Sequence, residues 1–571
     1  MARILQLSVR NFRKLKKFDC TFDDAKIVCL IGRGDSGKSS ILDAISYVLY
    51  PSWNLQVSDY DFTDLDISNS IKIQSVIIDF PQDFLRDDKY GMYLSGYDFG
   101  NSKVVDFTEA VKGAVLVVEL TVNESLEPKW EIVNFTSKQR TSFLVKDRAR
   151  LNTCIVSDYI NRHFSWGVGS PLSALSRVEG EEVSSDVLLR MVRKVRSESS
   201  EESFGDFKEV MGKISTQAAN LGFAIEGLSP AFDGKSLSIK EGSVVLHDSR
   251  KLPIRLLGKG SRRLLSVAVQ MAASNNSGIT LIDEVEQGLE PDRVRSFVAS
   301  LKRRSFGQVI FTTHSDNAVV ELDVSDIILV REGSSALRLP KEAQGLVRKS
   351  PAVLFGRKVI LCEGVTEVGF CMGIDRMIIE RGGRSFACSG VVLVDGGGSK
   401  FYDYARILKV IGADFLLFCD SDERQANEKK EQLRREGVSV VDWEVGDSFE
   451  QAIFRDLPNN SISNLIKLAY SLTPEHENEE ERKKAFVQSI AAKVGIDENA
   501  IFNGTEFSVL QRSGLAEVAK KNGKWFKSTR GGLSVASIIS RAIREDVASL
   551  KDTRVLENLV SISRWAGADV F

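Results

Sequence analysis

The sequence predicts an α/β chain in which a phosphate-binding domain, interrupted by a helical insertion, is followed by a smaller βα domain and a mostly helical tail. Three observations predict it. The apolar strand pattern KIVCLIG at 26–32 runs into the glycine-rich loop GRGDSGKSS at 32–40 and then into the helical pattern SSILDAISYVLY. GITLIDE at 278–284 and QVIFTTHS at 308–315 are short apolar runs of the kind that form buried parallel strands. From residue 358 strands (KVILCEG, VVLVD, DFLLFCD, VSVVDWE) alternate with helical patterns, and that alternation predicts a parallel sheet.

Taken in order, residues 3–31 alternate as strands, with NFRKLKKFD as the turn between them. Residues 51–125 continue the sheet with KIQSVIIDF and AVLVVELTV, and 142–226 turns helical with DVLLRMVRKVR and FGDFKEVMGKI. Strand patterns return at 236–247, LLGKGSRRLLSVAVQMAAS opens a long helix, and 333–351 is a polar connector. The domains expected are 1–141 and 227–350 for the two parts of the first domain, 142–226 for the insertion, 351–460 for the second domain and 461–571 for a helical region completing it.

Composition narrows the class. A chain of 571 residues with 43% apolar and 27% charged content can hold several cores. No run approaches the roughly 18 apolar residues of a membrane span, and MARILQLSVRNF enters a strand pattern directly, so a cytoplasmic protein is expected. The seven cysteines lack CxxC spacing and read as reduced thiols without a zinc framework. A net charge of −2 argues against a polyanion coat. Basic segments at 138–150, 190–196 and 302–304 are candidates, as a group, to track phosphates.

Gly32, Gly37, Lys38 and Ser39, with Ser40 beside them, fit GxxxxGK[ST]. In such a loop backbone N–H groups close on the β-phosphate of ATP, the lysine reaches the β- and γ-phosphates, and the hydroxyl of Ser39 ligates Mg²⁺. Asp283 would hold the same Mg²⁺ and Glu284 would polarise the attacking water. Gly258, Lys259, Gly260 and Ser261 resemble the signature loop of ABC-type ATPases, without its usual LSGGQ spelling, and GLEPD at 288–292 resembles the D-loop. His314 stands where that class has its switch histidine. A site of this class is completed by a second copy, so at least a homodimer is expected. The insertion is a candidate dimerisation or DNA-contacting arm, or a plain lid on its own ATPase.

The second domain puts Glu363 at a strand end, Glu367 four residues on, and Asp420 and Asp422 at the end of a later strand. If those strands are neighbours, both aspartates can turn toward Glu363. Acids so gathered call for a divalent cation, Mg²⁺ or Mn²⁺, and two such ions suit phosphodiester hydrolysis. Glu450 in GDSFEQA could add a carboxylate, and Lys527 in KWFKS a cation for the transition-state phosphate.

The combination EGxTE, DGGGSK and DSD resembles the Toprim domain. An ABC ATPase with a long insertion joined to a Toprim domain resembles the OLD (overcoming lysogenization defect) family, which includes the nuclease subunit of Gabija-type anti-phage systems. The resemblance implies metal-dependent DNA nicking or cleavage controlled by ATP, dimers or higher homo-oligomers through the ATPase half, and a role in phage defence or DNA processing. The expected partners are DNA and further copies of the chain, with a helicase as an open alternative and no membrane. A clamping ATPase of the RecF or SMC kind with a non-catalytic Toprim module is the competing reading.

Overall fold

The computed structural model describes residues 2–107, 113–156, 163–164, 171–172, 175, 207–223, 225, 227–232, 244–273, 278–303, 307–331, 335–473, 479–496, 500–503, 506–523 and 525–568. It divides into two units, Met1–Leu354 and Phe355–Phe571.

In the first unit an antiparallel sheet faces a mostly parallel one. The strands Leu15–Thr21, Arg3–Phe12, Ile71–Ile78 and Ala114–Val122 are successive neighbours in the antiparallel sheet. The second sheet has the order Thr153–Val156, Ile279–Ile282, Gln308–Thr312, Ile27–Ile31, Ile327–Arg331 and Ser335–Arg338, parallel except for the last strand. The helix Lys38–Val48 buries Ile41, Leu42 and Ile45 in a core that also holds Leu7, Ile73 and Leu116 of one sheet and Val28, Leu281 and Ile310 of the other. Gln308 stitches the sheets at 1% exposure. Its Oε1 accepts from Ile4 N–H at 2.8 Å, and its Nε2 donates to the carbonyls of Ile4 and Ala25 at 2.9 and 3.0 Å.

The strand Thr153–Val156 falls inside the span expected to be a helical insertion, yet it pairs in parallel with Ile279–Ile282. Its TCIV is a short run that periodicity does not separate from a buried helical turn. Lys208–Asn220 is a helix; most of 157–206, including the basic segment 190–196, lies outside the described residues.

In the second unit four parallel strands stand in the order Val391–Asp395, Lys358–Cys362, Phe415–Cys419 and Ser439–Asp442. Helix Val365–Glu380 follows the first of these strands in sequence, and helix Thr529–Asp546 lies closely against it. Small residues allow that approach. A Cβ on Gly369 would stand 2.0 Å from the carbonyl oxygen of Thr529, and one on Gly532 would stand 2.0 Å from that of Thr366. Beneath the strand ends Phe370, Phe418, Trp443 and Phe449 pack edge to face or stacked, with centroids 5.4–6.4 Å apart. Among the described residues no helix is long and apolar enough to cross a membrane, and the cysteines are free.

Candidate functional site

The phosphate loop of the first unit leaves the strand Ile27–Ile31 and turns into its helix at Gly37, whose φ of 96° is open to glycine and strained for other residues. Lys38 folds into the loop, Nζ donating to the carbonyls of Gly32 and Arg33 at 2.8 and 2.7 Å. Burial pulls its ammonium below the usual lysine range, against the opposing charges of Asp283, Glu284 and Glu286. The strand carrying Asp283 is not the neighbour of the loop strand, because Gln308–Thr312 lies between them. Thr312 spans that gap: its hydroxyl donates to Asp283 Oδ1 at 2.7 Å and accepts from Glu284 N–H at 2.7 Å. Ser39 Oγ also donates to Asp283 Oδ1, at 3.1 Å. A hydroxyl and a carboxylate so placed at a helix N-terminus could hold Mg²⁺ beside phosphate oxygens.

Glu284 itself is left-handed, with φ 50°, and exposed. A non-glycine residue held there costs about 1–3 kcal/mol and is characteristic of functional turns. Glu286 closes the same turn, accepting from the Thr313 hydroxyl and the His314 N–H at 2.6 Å each; the His314 side chain is exposed. Gly258, Lys259, Gly260 and Ser261 lie at the start of helix Lys259–Ala273. Gly260 meets the turn after Asp283 so closely that a Cβ would stand 2.1 Å from the Gly288 carbonyl.

In the second unit the Glu363 and Asp420 strands are neighbours, in register at Cys362 and Phe418. Glu363 N–H donates to the Phe418 carbonyl, and Asp420 N–H donates to Glu363 Oε2, both at 3.0 Å. Glu367 Oε2 accepts from Gly364 N–H at 2.9 Å, and Asp420 Oδ1 accepts from Phe449 N–H at 2.9 Å. Asp422 pairs with Lys520, in the π-helical segment Val518–Gly523. Glu450, fully buried, accepts from Ser448 Oγ at 3.1 Å through Oε2, while its Oε1 has no hydrogen-bond partner and lies 3.7 Å from Lys527 Nζ.

These acids feel one another. Burial raises Glu367 to about 7, with Glu363 and Glu450 pushing the same way. Burial, then Glu367, Glu363, Glu450 and Asp422, drive Asp420 well above the carboxylate range. Glu363 is raised by burial and by Asp422. Lys527 is raised despite its burial by Glu450, Asp420, Glu367 and Glu363. Among the described residues no three acids, cysteines or histidines are already drawn around one point. The carboxylates share one edge and turn to N–H groups and lysines, as mutually repelling charges do. A hard dication fits this all-oxygen set, and the unpartnered Oε1 of Glu450 is the buried atom that one would satisfy.

Two family models match the chain. Residues 27–321, more than half of it, match the family described as "AAA domain, putative AbiEii toxin, Type IV TA system". Residues 354–422 match "Overcoming lysogenization defect protein-like, TOPRIM domain". The chain belongs to the OLD family of ATPase–Toprim proteins. No curated protein matches it. Solved SMC heads align with the OLD chain at low similarity. A crystal structure of the SmcHead bound to the C-winged helix domain of ScpA aligns at 17% identity over 59% of this chain and 98% of its own, TM-score 0.37. A Smc head with an extended coiled coil, bound to the C-terminal domain of ScpA and derived from Pyrococcus furiosus, aligns at 16% over 61% and 98%, TM-score 0.37. The SMC head domain from Thermotoga maritima aligns at 14% over 59% and 99%, TM-score 0.29.

In this OLD protein, Lys527 reaches the acids because Thr366, beside Glu367, donates its hydroxyl to the Phe526 carbonyl at 3.0 Å. Thr312, Glu286, Ser421, Lys430 and Lys520 are additions from the structure. Lys430 lies one turn before the buried Leu433, within the charged run EKKEQLRRE that conceals it in the sequence. In the described basic segments Lys138, Arg140, Lys146, Arg150 and Arg303 are exposed. Arg140 pairs with Glu119 and Glu131, Arg150 with Asp83, and Lys302 with Asp323. Arg148 is buried, donating to the carbonyls of Phe143, Tyr50 and Ser52.

Proposed function

We propose that this protein is an ATP-binding, divalent-metal-dependent DNA endonuclease whose nucleotide site controls the nuclease, acting in anti-phage defence or DNA processing. The observation that carries this reading is the edge where Glu363, Glu367, Asp420 and Glu450 gather beside Lys527, with Glu363, Glu367 and Asp420 held above the usual carboxylate range. Structural acids are ordinarily paired off; these gather where Glu363 and Asp420 leave their strands, the edge at which open parallel sheets collect ligands.

Glu363, Glu367, Asp420, Asp422 and Glu450 would hold Mg²⁺ or Mn²⁺. When bound, such ions supply an activated water and charge stabilisation for the leaving oxygen. Lys527 is placed to neutralise a phosphate oxygen as charge builds on it, and the aromatic layer beneath keeps water from the buried side. In the ATPase unit, phosphate oxygens would take over the Lys38 ammonium from the carbonyls of Gly32 and Arg33. Ser39 and Asp283 would share the accompanying Mg²⁺, Glu284 would face the attacking water, and Gly258, Lys259, Gly260, Ser261 and His314 would act in a homodimeric nucleotide site.

The test is cleavage of plasmid DNA with Mg²⁺ or Mn²⁺ by the native chain, Asp420→Ala and Lys38→Ala, each with and without ATP. Nicking or linearisation lost in Asp420→Ala supports the nuclease, and the Lys38→Ala response tells whether nucleotide licenses or restrains it. ATP hydrolysis with intact plasmid under every metal condition would move the clamping-ATPase reading ahead.

A further inference from the structure

The turn carrying Asp420 and Asp422 is fastened through the residue between them. Ser421 is 1% exposed and every polar atom of it is held. Its N–H donates to the Asp447 carbonyl at 2.9 Å, and its own carbonyl accepts from Gly446 N–H at 2.9 Å and Asn427 Nδ2 at 2.8 Å. Its hydroxyl donates to the Trp443 carbonyl at 2.8 Å. Lys430, on the buried face of helix Arg424–Arg435, then donates to Ser421 Oγ at 2.7 Å and to the Asp420 carbonyl at 2.8 Å, and pairs with Asp442 at 3.1 Å.

Burying an ammonium costs several kcal/mol, and the Lys430 side chain is 2% exposed. Neutralising Asp442 does not account for that cost, since Asp442 Oδ1 already has Arg434 at 2.7 Å and Arg554 at 3.1 Å. Two of the three Lys430 bonds go instead to the acidic turn. Around the locked Ser421, Asp420 N–H donates to Glu363 Oε2 and Asp420 Oδ1 accepts from Phe449 N–H, while Asp422 pairs with Lys520.

We propose that Lys430, acting through Ser421, is a positioning residue for the cation site: it holds the Asp420–Asp422 turn in the form that presents both carboxylates to the acidic edge. This rests on reading that edge as a divalent-metal site. Groups that orient metal ligands in this way typically contribute about 10–100-fold in metal affinity.

The experiment is Mn²⁺ titration of the full-length chain without nucleotide or DNA, followed by the electron paramagnetic resonance of free Mn²⁺, with melting curves in EDTA. Glu363→Gln defines the binding that belongs to the acidic edge. Lys430→Met is expected to weaken that binding by about 10–100-fold, and Ser421→Ala to weaken it by a smaller factor. Asp442→Asn removes the ion pairs to Lys430, Arg434 and Arg554 while keeping both turn bonds of Lys430, so it should lower the melting temperature and leave Mn²⁺ affinity within about threefold of native. Native affinity in folded Lys430→Met overturns the proposal, as does a loss in Asp442→Asn equal to that in Lys430→Met. Should Lys430→Met fail to fold, Ser421→Ala decides: native affinity there overturns the proposal and weakened affinity supports it. If Glu363→Gln binds Mn²⁺ as the native chain does, the metal-site reading falls and this proposal with it.

Discussion

Replacing Gly369 by alanine tests how Lys527 is delivered to the acids. The added methyl group would stand 2.0 Å from the Thr529 carbonyl oxygen, where ordinary contact begins at 3.4 Å, so helix Thr529–Asp546 must retreat by about 1.4 Å or deform. Overpacking of this kind costs about 1–3 kcal/mol, and contact with rigid backbone puts it near the top of that range. Better helix propensity returns about 1 kcal/mol, leaving a net loss of about 2 kcal/mol. For a unit of this size that lowers the melting temperature by roughly 4–8 °C. Calorimetry reads the loss, and hydrogen exchange should speed up across 529–546. Lys527 lies two residues before Thr529, and a displacement of about 1 Å at a reacting group can cost 100-fold in rate, so cleavage should fall further than stability does. A Gly369→Ala protein that melts within 1 °C of native, with unchanged exchange in that helix, would refute the reasoning.

Gly212 is the contrasting case, since it sits exposed in helix Lys208–Asn220 with nothing within 4 Å of an added Cβ; Gly212→Ala should stabilise that helix by about 1 kcal/mol, read as slower hydrogen exchange across it. Gln308→Leu strands the Ile4 N–H and the carbonyls of Ile4 and Ala25, so the first unit should lose on the order of 3 kcal/mol in denaturant titration. The folded Glu367 carboxyl is raised from 4.5 to about 7, so between those values the folded chain keeps a proton that the unfolded chain has lost. Without metal, its contribution to stability is therefore full below about pH 4.5 and falls as pH rises to about 7. Saturating Mg²⁺ should flatten that fall in melting curves taken from pH 5 to 8; identical slopes with and without Mg²⁺ would count against a cation at this edge.

Much of the site was legible because its parts are local. Gly32 to Ser39 is one strand, one turn and one helix start, and its chemistry follows from spacing alone. The two acidic strand ends were legible for the same reason, as was the βα alternation that makes the second sheet parallel. Non-local placement was not legible. TCIV at 153–156 is too short for periodicity to separate strand from helix, and only pairing with Ile279–Ile282 makes it a strand. Lys430 stands in EKKEQLRRE, which composition assigns to a solvated face; its burial follows from the helix packing that seats Leu433.

The sequence by itself determined which residue types could handle phosphate and where the chain turns, because loop, cap and strand-end chemistry is written within a few neighbouring residues. Only the tertiary structure decided that Thr312 would bridge to Asp283, that Ser421 would be locked beneath the acids, and that Lys527 would arrive beside Glu450 from far along the chain. Those contacts depend on strand order and on how closely helices can approach, and close approach at Gly369 and Gly532 is a property of two surfaces meeting.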